Sequence, residues 1–162
     1  MAASELQLRA EALLARFRES GRCPIVIEFA GLPKSGKTTV ISQIHGFLKR
    51  CGFRTEIVVE RASVCPIRDK KHSSFNIWTS CTALSHLLDR TQVPPRDDDP
   101  EVLILDRGLF DSVLWLEFQK QLVRMRKADA DKVEAFLQIE DWRRRISKVI
   151  VMKAKPEHSM LR

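Results

Sequence analysis

The chain has no apolar run approaching the ~20 residues that cross a bilayer. Its N-terminus also lacks the unbroken apolar core of a secretory signal, because Glu5, Glu11 and Glu19 interrupt it. Both absences point to a cytoplasmic protein with no membrane partner. The four cysteines, Cys23, Cys51, Cys65 and Cys81, form no C-x-x-C pair. That argues against a zinc site or a disulfide framework and for buried cytosolic thiols. There is no internal repeat and no low-complexity stretch. The Ser, His, Asp and Cys residues form no hydrolase pattern beyond their presence. His45 reads as a helix-surface residue and His72 as a loop residue facing solvent, while Trp78, Trp115 and Trp142 fall at apolar helical positions.

What is present is 162 residues, 44% hydrophobic and 30% charged, enough for one compact α/β domain over 1–162. The formal charge is +7. A solvated surface accounts for such a charge, and so does a polyanionic partner such as a nucleotide or nucleic acid. The densest basic clusters are Arg143-Arg144-Arg145 with Lys148, and Arg124, Arg126 and Lys127. Both fall on helical stretches, the first with Glu134, Glu140 and Asp141 nearby, and read first as solvated faces.

Gly31-Leu32-Pro33-Lys34-Ser35-Gly36-Lys37-Thr38 is a full G-x-x-x-x-G-K-[ST] phosphate-binding loop. The apolar run from Pro24 to Ala30 before it reads as a strand. Val40, Ile44, Phe47 and Leu48 after it have helical spacing. Gly31 and Gly36 allow the tight turn that points backbone N–H groups at phosphate oxygens, and the following helix adds its positive end. Lys37 then reaches the β- and γ-phosphates, the Thr38 hydroxyl ligates Mg²⁺, and Thr39 closes the binding segment.

Further along, Ser4 to Gln7 looks like a capping box for a helix with Leu6, Ala10, Leu13, Leu14 and Phe17 on one face, stopped at Gly21. Thr55 to Glu60 reads as a second strand, 61–74 as a loop, and Phe75 to Asp89 as a helix with Ile77, Cys81, Leu84 and Leu88 facing inward. Glu101 to Asp106 reads as a third strand, 109–127 and 129–146 as two helices breaking near Ala128, and Lys148 to Met152 as a fourth strand. This alternation predicts a parallel sheet of about four strands with helices on both faces, and a site at the carboxyl ends of the strands.

Two further pieces of chemistry fall at such ends. Val102-Leu103-Ile104-Leu105-Asp106 is an apolar strand ending in an acid, the pattern of a Walker B strand whose carboxylate holds Mg²⁺ or its water. An Asp there also serves as a turn former. Arg107 suits bidentate phosphate binding or a surface position. Glu60 suits proton abstraction from an attacking hydroxyl, sugar binding, or a strand-end salt pair.

Taken together, the segment Ile27 to Thr39, Glu60-Arg61 and Asp106-Arg107 resembles the thymidylate kinase and deoxynucleoside kinase group of P-loop NTPases, in layout over nearly the whole chain. The resemblance implies donor phosphates in the loop, an acceptor beside Glu60, and Mg²⁺ and phosphates at Asp106 and Arg107. It also implies a catalytic role for Lys34, which stands where some thymidylate kinases place a basic residue inside the loop. Two positions differ from the thymidylate kinase pattern: Arg61 stands where that family has proline, and Gly108 where it usually has an aromatic, histidine or serine. The sequence stops at Arg162, before the point where the resembled family continues into its lid.

The implied cofactors are ATP or GTP with Mg²⁺, and the implied acceptor is a nucleoside, a nucleotide or a similar small molecule. Two other activities share these motifs: a switch that hydrolyses ATP or GTP, and a polynucleotide 5′-end kinase or other nucleic-acid-directed ATPase.

Overall fold

A computed structural model describes residues 4–21 and 24–153. Helix α1 (Glu5–Ser20) begins where the Ser4 hydroxyl accepts the Gln7 N–H at 3.3 Å, and ends at Gly21 with φ 56°. The Gln7 side chain reaches forward to Glu11 rather than back to Ser4, so only half of the expected capping box forms. Of the five apolar positions expected on its inner face, only Leu14 is buried, while Leu6 and Leu13 are more than half exposed.

Strand β1 (Ile25–Gly31) leads through the phosphate-loop sequence into α2 (Lys37–Arg50). Strand β2 (Thr55–Val58) ends two residues before Glu60, because a short 3-10 turn (Arg61–Ser63) breaks the extended backbone there. Next come α3 (Ser73–Arg90), β3 (Val102–Asp106) and α4 (Leu109–Gln121). The first of the two expected helices therefore ends six residues early, and α5 starts at Lys127 (Lys127–Leu137). The second is also split, with a short α6 (Glu140–Arg143) before β4 (Lys148–Met152). The Trp142 indole N–H caps this break by donating to the Phe136 carbonyl at 3.0 Å.

The four strands form one parallel sheet in the order β2-β3-β1-β4. Strand β3 lies inside it, and its residues Val102 to Leu105 are all buried. A parallel strand covered on both sides reads as such an unbroken apolar run. Alternate residues feed two cores. Val26, Leu103 and Leu105 meet Leu84, Leu87, Leu109, Leu116 and Leu137 from α3, α4 and α5. Phe29, Val102 and Ile104 meet Leu14, Ile41, Cys51 and Phe53 on the other face.

At the starting edge of the strands, buried Glu101 accepts from Arg18 at 2.6 Å and from the Arg54 N–H at 2.9 Å, tying α1 to the sheet. At the finishing edge the register pairs Phe29 with Asp106, Gly31 with Met152 and Val58 with Leu105. The phosphate-loop sequence, Asp106-Arg107 and the Glu60 turn thus leave the sheet at one edge. Among the described residues, no helix is long and apolar enough to cross a membrane.

Candidate functional site

The loop between β1 and α2 folds as the glycine spacing requires. Gly36 has φ 89°, and a Cβ there would meet nothing within 4 Å, so the backbone conformation rather than crowding demands glycine. Lys34 also holds a left-handed φ of 61° and stays exposed. Residues Lys34 to Thr39 line a shallow depression of about 210 Å³ at the start of α2. The N-terminal N–H groups of that helix have no side-chain cap, leaving them available to an anion.

Lys37 is buried and turns back across the loop. Its ammonium donates to the Gly31 and Leu32 carbonyls, each at 2.9 Å. Burial, and then the nearby Arg107 charge, hold its pKa below the ordinary lysine value, against the pull of Asp111, Asp106 and Glu60. Thr38 and Thr39 face solvent. The Ser35 hydroxyl oxygen is enclosed with no hydrogen-bond partner among the described residues.

Asp106 ends β3 beside this loop. Burial pushes its carboxyl above the usual aspartate value, while Lys37 and Arg107 oppose the shift. Its neighbour Arg107 takes a left-handed backbone with φ 69°, an arrangement that costs about 1–2 kcal/mol in a non-glycine residue. Three contacts hold it there. Its Nε donates to Glu60 at 2.9 Å, its Nη1 donates to Asp111 at 2.8 Å, and its guanidinium lies 5.7 Å from the Trp115 ring centre. Burial disfavours the charge, but the carboxylates of Asp111 and Glu60 outweigh it and raise the Arg107 pKa.

Two acids that the sequence reading passed over organise this corner. Asp111, buried on the first turn of α4, accepts the Gly31 N–H at 2.8 Å while pairing with Arg107. One carboxylate therefore fixes the start of the phosphate loop and the arginine after β3 together. Glu28 is fully buried on β1, and one of its oxygens accepts the N–H groups of Gly108 at 3.2 Å and Asp111 at 2.8 Å. Its other oxygen has no partner among the described residues. Burial raises its pKa to about 7, against those two N–H bonds. A Cβ on Gly108 would come 2.6 Å from the unpaired Glu28 oxygen, which explains why glycine opens α4. The signal for Glu28 was a lone acid inside an apolar strand. For Asp111 it was an acid in the first turn of a helix following Asp-Arg.

Beyond Arg107 lies a cavity of about 330 Å³ between β2, the Arg61–Ser63 turn, α3 and α4. Its wall includes Pro33 of the phosphate loop together with Glu60, Arg61, Lys70 and Arg107, so loop and cavity adjoin. Arg68 and Lys71 are exposed and do not line it.

The buried face of α3 is Asn76, Ser80, Leu84 and Leu87 rather than the Ile77-Cys81-Leu84-Leu88 stripe, and Cys81 is exposed. The shift follows from packing: polar Asn76 faces the cavity and donates to the Ser112 carbonyl of α4 at 3.5 Å. On α4, Asp111, Trp115 and Gln119 recur every four residues and line the same cavity. The half-buried Trp115 forms part of this wall. Trp78 is half-buried and outside the wall.

His72 caps α3 by accepting the Ser74 N–H at 3.1 Å, and His45 bonds Thr55 at 2.9 Å. Of the cysteines, Cys51 is buried, Cys65 half-buried and Cys81 exposed, and Cys23 lies outside the described residues.

The basic clusters are largely engaged. Arg144 and Arg145 pair with Asp141, Arg126 pairs with Asp129, and Arg143 lies over the Phe110 ring.

No protein-family model matches the chain, and no protein of curated function matches its sequence.

Proposed function

We propose that the protein is a P-loop phosphotransferase that moves the γ-phosphoryl group of ATP or GTP, with Mg²⁺, to a small acceptor of nucleoside or nucleotide type. The observation that carries this reading is the gathering of the loop depression, Asp106-Arg107 and a cavity at one edge of the sheet. Lys37 and the free start of α2 border the depression, Asp106 and Arg107 stand beside them, and an enclosed cavity bordered by Glu60 adjoins through Pro33.

The residues fit a bound triphosphate and its cation. Lys37 has only backbone carbonyls to hold and can exchange them for phosphate oxygens. The enclosed Ser35 hydroxyl and the uncapped start of α2 supply further donors. Thr38 and Asp106 would hold Mg²⁺, an ion that takes few protein ligands and fills its shell with phosphate oxygens and water. Asp106 is free of ion pairs among the described residues, whereas Arg107 is doubly engaged. When bound, Mg²⁺ neutralises charge on the phosphates and orients them.

In the reaction, an acceptor oxygen forms a bond to the γ-phosphorus as the bond to the β,γ-bridging oxygen breaks, leaving the nucleoside diphosphate. Lys37 and Arg107 stabilise the charge that moves onto the phosphates. For a hydroxyl acceptor, Glu60 takes the proton released. Arg107 holds that carboxylate at 2.9 Å in the cavity wall. The remaining work is positioning.

The test is a transfer assay with γ-labelled ATP and GTP against nucleosides, nucleoside monophosphates and 5′-hydroxyl oligonucleotides. Label moving to a small acceptor supports the reading. Acceptor-independent phosphate release would assign a hydrolytic switch instead. Label moving only to oligonucleotides would assign a 5′-end kinase.

A further inference from the structure

One side chain of the cavity wall carries a buried polar atom with no partner among the described residues. Gln119 is 4% exposed, and its amide oxygen is enclosed with no hydrogen-bond partner among the described residues. Leaving such a group unpaired is costly, and native structures rarely do so without reason. The site offers no structural reason. A leucine would fill the position on α4, as Leu116 does one turn earlier with no exposure at all.

The chemistry of the cavity is graded. Its buried polar lining is neutral, Asn76, Ser112 and Gln119, apart from Asp111, which Arg107 neutralises. Its exposed charged lining is Glu60, Arg61 and Lys70, with Glu60 paired to Arg107. Phe75 and Trp115 add flat apolar wall, the latter against Arg107. A ligand matching this gradient has a neutral, flat, hydrogen-bonding end against Gln119 and a hydroxyl-bearing or charged end towards Glu60 and Arg107. The volume of about 330 Å³ lies at the small end for ligand sites, and suits one such molecule rather than a polymer.

We infer that Gln119 is the specificity-determining residue of this cavity, and that it pairs edge-on with a nitrogen heterocycle carrying a hydrogen-bond donor beside an acceptor. A carboxamide offers the same two groups side by side, and its 180° rotation presents them in either order. A site built to pair such an edge rejects the analogue that lacks the donor far more strongly than an apolar pocket rejects an extra methyl group. The inference rests on reading this cavity as the acceptor side of the proposed phosphotransferase.

The experiment is equilibrium binding to the full chain of two matched pairs: uridine against 3-methyluridine, and adenosine against N6,N6-dimethyladenosine. Methylation removes the donor in each pair. MgATP binding is measured on the same preparations. The wild type is expected to bind the unmethylated member of at least one pair tenfold or more tightly. Gln119→Leu is expected to bind both members within about twofold, with its melting temperature equal to or above that of the wild type, since no paired group is lost.

Equal binding within both pairs by the wild type overturns the inference without needing any variant to fold, and indicates that only water meets the Gln119 amide. Retained discrimination in Gln119→Leu overturns it too, as does failure of all four nucleosides to bind. If MgATP binds normally in those cases, the phosphotransferase reading stands and only the role of Gln119 falls. If discrimination appears and MgATP does not bind, Gln119 keeps its role and the phosphotransferase reading falls.

Discussion

The phosphate-loop segment and the cavity beside it meet at Pro33 yet are built on opposite principles. The loop is one contiguous segment that offers backbone N–H groups, a single buried lysine and an open depression. The cavity is assembled from side chains of two strand ends, a turn and two helices, and buries Asn76, Asp111, Ser112 and Gln119 in its wall. Backbone donors at a helix start suit any phosphate, whatever it is attached to. Side-chain amides in an enclosed wall suit one shape and one pattern of donors. On the proposed function, the difference separates a generic half of the site from a selective half. Asp111 couples them, since it holds the Gly31 N–H with one oxygen and Arg107 with the other.

The largest effect expected from breaking the generic half is on chemistry. Lys37→Ala should cut phosphoryl transfer on the order of a hundredfold or more, about 3–4 kcal/mol, the scale for losing one preorganised charge-stabilising donor. The measurement is nucleoside diphosphate release by the purified variant under single-turnover conditions. A mutation that merely loosened the cavity would raise the acceptor KM and leave this rate alone.

Breaking the coupling comes next. Asp111→Ala leaves the Gly31 N–H unpaired and strands part of the Arg107 charge in a buried place. It should cost about 3 kcal/mol, the range for removing one partner of a buried ion pair. In a chain of this length that lowers the melting temperature by roughly 10 °C, readable by calorimetry. Both halves should weaken together, so that nucleotide and acceptor affinity fall in the same variant. Loss confined to one half would show that Asp111 serves that half alone.

The smallest effect sharpens the comparison from beneath. Glu28 supports Gly108 and Asp111 from inside the sheet, and its pKa rises from 4.5 to about 7 on folding. The folded state therefore binds more protons than the unfolded state between those values. Stability is full below pH 4.5 and declines as pH rises towards 7, by at most about 3 kcal/mol. Glu28→Gln keeps the acceptor oxygen and removes the titration. Urea unfolding at pH 5 and pH 7.5 should show a flatter dependence in that variant. An unchanged slope would place the titration elsewhere.

The same contrast explains what the sequence could disclose. The placing of the loop was legible because its pattern lies in eight consecutive residues between a strand and a helix. The place of Asp106 at the end of β3 was legible because the apolar run stops there. The sheet followed from alternating apolar runs.

The cavity was not legible. Asn76 and Gln119 are polar residues on helices, and periodicity assigns such positions to solvent. Only the approach of α3 to α4 buries them. That approach also moved the inner face of α3 off the Cys81 stripe. Glu60 was placed inside a strand because Val58, Val59 and Glu60 continue a β-branched run, and the 3-10 turn that ends β2 at Val58 has no glycine or proline to announce it. Leu122 to Arg126 lacks a breaker as well, so nothing in the sequence marks the end of α4 at Gln121.

The central claim is that the loop reads phosphates. Calorimetric titration of MgATP and of AMP into the wild-type chain tests it most directly. The account predicts saturable one-to-one binding of MgATP at least tenfold tighter than AMP, about 1.4 kcal/mol or more, because only the triphosphate reaches Lys37 and the Mg²⁺ ligands. Absence of saturable MgATP binding, or AMP binding as tight as MgATP, would contradict it.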